Sequence, residues 1–414
     1  MTIKIIERSM TIKEIVETWP ETLAVFVANG FENLKEPKVL QSVGRFLKLE
    51  SALVNKGYAV ETFVQLLEDK ISEQSNQVDI TLAQKTQQEF DIDVAGLLPC
   101  PVRVPLLEAF NTFTDDYQQR SGLKTRSRLE AASVGADWME ENIQNLTSVS
   151  ELPDLFISAG FDTFFDPKGI GLYQQQGAFE AVDFSRVNHD FADVDLVDPR
   201  HAYSIVSVVP AVFMVDKLEL GELPVPRTWA DLLNPIYEQK VALPVGDFDL
   251  FNAILLNIHK EFGDEGVKRL GRSMLQSMHP AQMVKGAGRT KEQKPLVTIL
   301  PYFFTRMAGA IKSVEIVWPE DGAIISPIFL LAKKESLDKT LEIAEFLANK
   351  EVGEVLAQKG LFPSLNPDVE NVLPTNFKDG APWKWLGWDY IYDHNIAELI
   401  CHTDALFNAA ATQE

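Results

Sequence analysis

The sequence predicts an α/β protein: two lobes built from sheets covered by helices, preceded by a small all-helical domain. Three observations carry this. Helix-period apolar patterns alone fill residues 1–74; from about residue 90 apolar strand runs alternate with helical patterns; and a β-rich run at 203–217 is longer than an ordinary strand. Alternation of strand and helix is the grammar of layered α/β folds. A strand of that length is expected to cross from one lobe to the other.

Composition bounds the reading. At 414 residues the chain exceeds one ordinary domain. With 46% hydrophobic and 24% charged residues it has the make-up of a soluble protein with sizeable cores. A formal net charge of −22 repels phosphate backbones and anionic lipid, so nucleic acid is not an expected partner. The charge leaves the ligand open, because a pocket can be basic inside an acidic protein. Cys100 and Cys401 are too few for a disulfide framework or a cysteine-rich metal site. The opening MTIKIIERSMTIKEIVETWPE is broken by charge every few residues, whereas a signal peptide needs an apolar run of roughly 7–15 residues. There is no lipobox cysteine and no run of about 18 apolar residues, so no membrane insertion and a cytoplasmic location are expected.

Residues 1–74 read as four short helices. Thr11 and Glu14 have capping-box spacing, with Ile12, Ile15 and Val16 at helical spacing behind them. Pro20 opens a second helix that Gly30 closes, and helical patterns follow at 37–54 and 60–72. Residues 75–88 are polar and read as a linker. Strands are then expected at 94–99, 123–131, 152–160, 203–217, 240–247, 296–300, 314–322 and 323–334. Helices are expected at 105–120, 137–147, 249–261, 264–278, 301–311 and 337–360, with a last one behind Trp383, Trp385 and Trp388. The long run at 203–217 and the return near 314–330 divide the lobes into 89–207 with 315–414, and 208–314.

Three segments carry a family resemblance. DLFISAGFDTFFDPKGIGLYQQQGAFEAV spans 154–182. VPAVFMVDKLELGELPVPRTWADLLNPIYEQKVALPVGD, at 209–247, contains Pro226, Thr228, Trp229, Asp231, Leu232, Leu233 and Pro235. WPEDGAIISPIFLLAKK, at 318–334, precedes the helical pattern of 340–360. Together they resemble the type 2 periplasmic binding protein superfamily, the solute-binding proteins of ABC transporters, and within it the ferric-iron and polyamine-like branch. That resemblance implies the two-lobed fold and closure on a small ligand. The segment MTIKEIVETWPETLAVFVANGF, at 10–31, resembles a small helical domain of unknown function like those preceding iron–sulfur repair proteins. Gly30, Phe31, Glu32, Asn33 and Leu34 hold none of the cysteines such domains often carry, so no thiolate metal or redox site is expected there. It reads as an interaction or regulatory module.

Ligand sites in such folds lie at strand C-termini, where helix N-termini offer free N–H groups. Four turns qualify: Cys100 and Arg103 after the first strand; Ser158, Gly160 and Phe161 after the third; Asp247 and Phe248 at the start of the 249 helix; and Tyr302 after the 296–300 strand. Arg103 suits an anion. Asp247 suits a cation if it lines the cleft and otherwise caps the helix, so the ligand stays open among iron, another small ion and a small organic solute. Trp229 reads as packing. No Tyr-Tyr pair of the ferric type exists, and Asp389, Tyr390, Tyr392, Asp393, His394 and His402 read as a solvated face. The six histidines show no metal-ligand spacing, and neither an esterase elbow nor a zincin motif is present. No cofactor, no metal and no catalysis are expected. The leading reading is a solute-binding protein acting as a cytoplasmic sensor, with a protein partner on its N-terminal domain and an ABC permease as the other candidate partner. Two other classes stand beside it: an enzyme using Cys100 as nucleophile, and an adaptor that has lost its ligand.

Overall fold

The computed structural model describes residues 6–20, 22–28, 31, 34, 37–54, 60, 63–64, 67, 71, 90–99, 102–131, 143, 146, 148–182, 186–245, 248–277, 294–308, 311–377 and 380–412. The chain forms two compact units, Met1–Glu89 and Phe90–Glu414. Cys100, Asp247, Gly30, the linker, most of the 60–72 pattern and nearly all of the 137–147 pattern lie outside the described residues.

In the first unit α1 (Ile12–Thr18) starts at a full capping box. Thr11 Oγ1 accepts from the Glu14 N–H at 3.2 Å, and the Glu14 carboxylate accepts from the Thr11 N–H at 2.8 Å. Both ends of an otherwise unpaired turn are satisfied this way. The 37–54 pattern is two helices, α3 (Pro37–Ser42) and α4 (Leu49–Val54), which with α2 (Thr22–Ala28) complete the described helices here. Ile12, Ile15, Phe26, Leu49, Leu53 and Phe63 form its core. The Phe26 ring meets Phe31 edge-on at 5.6 Å and Phe63 at 5.4 Å.

The second unit holds strands β1 (Ile92–Leu98), β2 (Thr125–Ala131), β3 (Leu155–Ala159), β4 (Phe179–Glu180), β5 (Ser204–Asp216), β6 (Val241–Leu243), β7 (Met274–Ser277), β8 (Val297–Pro301), β9 (Val314–Val317), β10 (Ala323–Lys333) and β11 (Trp383–Lys384). Its helices are α5 (Arg103–Ser121), α6 (Asp162–Phe165), α7 (Ile170–Gln175), α8 (Lys217–Leu220), α9 (Trp229–Leu232), α10 (Phe248–Ser273), α11 (Thr305–Ala308), α12 (Leu337–Leu347), α13 (Lys350–Glu354), α14 (Trp388–Asp393) and α15 (Ile396–Ala411). The strand order is β2-β1-β3-β10-β5-β8-β6-β7.

One strand serves both halves of that order. Ser204 to Pro210 of β5 pair with β10, while Ala211 to Val215 pair with β8 and Phe213 to Asp216 with β9. The change of partners falls at Pro210, a residue with no N–H to offer a ladder. Before it, the second edge of β5 is covered by a loop: Val208 N–H donates to Pro363 and Leu365 N–H to Val206. Within the first half β1 runs parallel to β2 and β3; within the second β6 runs parallel to β7 and β8.

Several expected elements differ. The helix expected at 264–278 stops at Ser273, because 274–277 form β7 against β6; sheet pairing overrides a helical pattern there. The two helices expected at 249–261 and 264–278 are continuous apart from Gly263, whose φ of 63° breaks the run. The 240–247 strand is cut to Val241–Leu243 before Pro244. The 301–311 helix is a 3-10 turn, Tyr302–Phe304, followed by α11. The 337–360 pattern becomes α12, α13 and a π-helical turn, Val355–Lys359. Trp229 is fully buried, as packing requires; its Nε1–H donates to the Gly322 carbonyl at 2.9 Å and its ring meets Phe213 edge-on at 4.9 Å. The Thr228–Asp231 capping box sets the start of α9 beneath it.

The C-terminal helix α15 packs along α10. Phe407 meets Phe251 edge-on at 4.9 Å, and a Cβ added at Gly271 would stand 2.6 Å from the Phe407 carbonyl oxygen. So α15, although it follows the 315 boundary in sequence, rests on a helix of the 208–314 segment. Among the described residues no helix is long and apolar enough to cross a membrane.

Candidate functional site

The register places the strand ends. Ala159, the last residue of β3, is opposite Ile328, and Ile328 is opposite Ser207 of β5. Pro301, the last residue of β8, is opposite Ala211 of β5. The C-terminal ends of β3 and β8 therefore arrive from opposite directions within four residues of each other along β5, on either side of the handover at Pro210. β1 lies parallel beside β3, and β6 parallel beside β8. The strands that precede the four turns thus end on the same side of each half, toward the handover at Pro210.

The side chains at those turns are disposed as follows. Arg103 opens α5 and is buried; its Nη2 donates to the Leu129 carbonyl at 3.3 Å. Ser158 is buried, and its hydroxyl donates to the Ala159 carbonyl at 2.9 Å. Gly160 takes φ 124°, a conformation that L side chains rarely adopt, and its N–H points to the Pro327 carbonyl at 3.4 Å. Phe161 is fully enclosed, stacked on Trp385 at 6.0 Å and on Phe165 at 6.0 Å, so its ring belongs to the core. Phe248 is the first residue of α10. Tyr302 is half-buried with its ring edge-on to Trp318 at 5.2 Å, and burial pushes its phenol above the ordinary tyrosine range, against a lowering by Arg306.

One group that sequence reasoning missed sits at the handover. Ser326 of β10 is opposite Val209, is fully buried, and its hydroxyl has no hydrogen-bond partner among the described residues. A buried hydroxyl without a partner is costly, of order 1–3 kcal/mol. The sequence signal was a serine inside the apolar run AIISPIFLLAK.

The two halves also touch beside the site. Arg306, just past Tyr302, donates to the carbonyls of Gln358 and Lys359, the latter at 2.7 Å. These are end-of-helix carbonyls that otherwise lack partners. Phe303 stacks on Phe362 at 6.2 Å. Two cavities among the described residues are small. One of about 10 Å³ is apolar and lies under Leu98 and Pro99; another of about 30 Å³, beside Asp198 and Ser204, has room for little more than water.

The tail does not form one donor cluster. The Tyr392 hydroxyl donates to Asp198 at 2.7 Å, while His394 Nδ1 bonds the Tyr390 carbonyl at 2.9 Å. The sequence shows no metal-ligand spacing among the histidines; in the fold His259 and His402, far apart in sequence, both reach Asp264.

Two α/β halves joined through shared strands, with the ends of β3 and β8 converging at the join, define a solute-binding fold of the type 2 periplasmic class. Residues 150–394 match the family described as bacterial extracellular solute-binding protein, well over half of the chain, and the chain belongs to that family. Residues 6–64 match a domain of unknown function, DUF1858. No curated protein matches the chain. Similar solved structures include the apo ferric ion-binding protein A of Pasteurella haemolytica, 13% identical, TM-score 0.54, covering 77% of this chain and 99% of that one. The ferric binding protein of Campylobacter jejuni is 12% identical, TM-score 0.53, over 77% and 99%. The Trichodesmium protein IdiA (FutA), solved with iron and citrate, is 12% identical, TM-score 0.53, over 78% and 99%. At such identities these likenesses speak for the fold.

Proposed function

We propose that this protein binds a small solute at the junction of its two halves, by hinge closure about β5 and β10, and carries out no catalysis. The observation that supports this best is the register: the ends of β3 and β8 meet around Pro210, and β1 and β6 lie beside them. Arg103, Ser158, Gly160, Phe248 and Tyr302, joined by Ser326, are the described candidates for the site, with Cys100 and Asp247 in the adjoining turns. The lobes of this reading are 89–207 with 315–414, and 208–314, with α15 moving together with the α10 it packs on. Ferric-binding neighbours make iron the first ligand to try, ahead of another small ion or a small organic solute.

The occupancy signal is proposed to pass from the closed lobes through the N-terminal helical domain to a protein partner, in the cytoplasm. The family is described as extracellular, so the transport role, with an ABC permease as recipient, is the competing outcome. Fractionation of the native host decides between them: protein outside the inner membrane, with residues 1–30 removed, restores transport.

The test of binding is a thermal-shift and calorimetric screen of the full chain with ferric citrate, phosphate, spermidine, amino acids and thiamine. A ligand at one hundred times its Kd stabilises by about 2.7 kcal/mol, a clear shift. Saturable binding by one probe, with a smaller radius of gyration in solution scattering, is expected. No shift from any probe overturns the reading in favour of an adaptor. Turnover of a substrate that Cys100→Ser abolishes, with binding intact, overturns it in favour of an enzyme.

A further inference from the structure

Away from the strand ends, two helices bring together three side chains of metal-ligand type. His259 lies in α10, Asp264 follows the Gly263 break in the same helix, and His402 lies in α15. His259 Nε2 is 3.1 Å and His402 Nε2 is 3.0 Å from one and the same oxygen, Asp264 Oδ1. The three donor atoms all lie within 4.8 Å of one another. His259 is mostly buried, while Asp264 and His402 are about half exposed, at 49% and 47%.

The break in α10 creates this convergence. In an unbroken α-helix residues five apart stand about 140° apart around the axis, on different faces. Gly263, at φ 63°, lets Asp264 turn back on His259. The packing of α15 on α10 supplies the third group, with the two imidazole rings edge-on at 5.8 Å. The outer nitrogen of His259 is already braced: Nδ1 shares a hydrogen bond with the Tyr390 hydroxyl at 3.3 Å. A partner on the far ring nitrogen is what orients a metal-ligating histidine.

We propose that His259, Asp264 and His402 form a site for a divalent first-row transition ion, of which Zn2+ is the probe, clamping the C-terminal helix to the kink of α10. The spacing suits it: donors about 2.0–2.1 Å from one ion in tetrahedral array lie roughly 3.3 Å apart. Two imidazoles and a carboxylate are borderline donors that select such ions over calcium or magnesium. The half-exposed side of the trio leaves the remaining coordination positions to water. This site is independent of the solute site, since none of its residues belongs to the four strand-end turns.

The experiment uses the untagged full chain, stripped with EDTA and desalted. Zn2+ is titrated calorimetrically, and Co2+ by visible absorption, whose intensity reports tetrahedral nitrogen and oxygen ligation. One equivalent of Zn2+, a Co2+ band that Zn2+ displaces and a raised melting temperature are expected. His402→Ala and Asp264→Asn each weaken Zn2+ at least about ten-fold and remove the Co2+ band, because a shell partner alone is worth 10–100-fold. His189→Ala, at an exposed histidine paired with Asp190 and away from the trio, leaves both unchanged. Asp264→Asn is nearly isosteric and keeps the test open should the alanine variant fold poorly. Absence of stoichiometric Zn2+ and Co2+ uptake by the unaltered chain overturns the proposal. Uptake that survives both ligand variants does so as well, since it then belongs elsewhere, the solute site included.

Discussion

Asp154 offers the sharpest test of how the first half of the sheet is held. It stands just before β3, 6% exposed, opposite the equally buried Lys333 at the end of β10. The Lys333 ammonium lies 3.2 Å from its carboxylate and also donates to the Leu152 carbonyl at 2.9 Å. The carboxylate further accepts from the Asp93 N–H at 2.9 Å and from the Ser336 hydroxyl, with Lys339 at 3.5 Å. Burial pushes this carboxyl up, but the Ser336 and Asp93 hydrogen bonds and the two ammoniums outweigh it, and the group sits below the ordinary aspartate range. Asp154→Leu strands the Lys333 charge in the interior, which costs about 3–5 kcal/mol. At roughly 2–4 °C per kcal/mol for large domains, the melting temperature falls by roughly 6–20 °C. Lys333→Met leaves Asp154 its other donors and costs less, about 1–3 kcal/mol. The double variant has no stranded charge and recovers much of the loss, so the two effects are far from additive. Because the folded-state pKa is depressed, the stability this group contributes is present above the unfolded value near 3.9 and disappears as pH falls through the folded pKa. Asp154→Asn therefore flattens the acid limb of stability below about pH 4. Urea unfolding monitored by circular dichroism measures all of this. A double variant as unstable as the sum of the singles would refute the reasoning.

Two further expectations concern the join and the sheet. Arg306→Ala removes the two carbonyl contacts that tie the end of β8 to the turn after α13; because the guanidinium is exposed, stability changes by under about 1 kcal/mol, but small-angle scattering should show a wider, more open population, and an unchanged radius of gyration counts against a closing contact there. Gly96→Ala drives a Cβ to 1.9 Å from the Ile157 carbonyl oxygen in the parallel β1–β3 ladder; forcing the strands apart costs about 1–3 kcal/mol or more, and denaturant midpoints at the wild-type value would show that the two backbones are not so close.

How much of this was legible depended on whether the cause was local. The Thr11 capping box and the long β5 run follow from residues within one turn or one strand, and the structure carries them where the pattern put them. β7 was misread as helix because its pairing with β6, an interaction with residues more than thirty positions earlier, is what makes 274–277 a strand. The strand ends were readable because each strand is a local apolar run closed by turn residues. Their side-chain directions were not: whether Phe161 faces a cleft or the core depends on Trp385, more than two hundred residues on. The His259, Asp264 and His402 trio was invisible for the same reason, and its two halves meet only because α15 lies on α10. The one local hint was the glycine between Phe262 and Asp264.

The handover at Pro210 links these observations to function. Before it, β5 is held on one edge by β10 and on the other by the 363–365 loop; after it, by β8 and β9. No ladder spans the change on both edges, so bending there disturbs few backbone bonds, and a proline contributes no N–H to lose. In the proposed reading the hinge motion is a rotation of β8 and β6 against β3 and β1 about this point, which would open and close the space where their ends meet. Arg306 and Phe303 on one side, and the turn around Gln358 to Phe362 on the other, are the first contacts such a rotation breaks. A solute that bridges the two sets of strand ends would stabilise the contacted form by its differential affinity alone, with no further device needed.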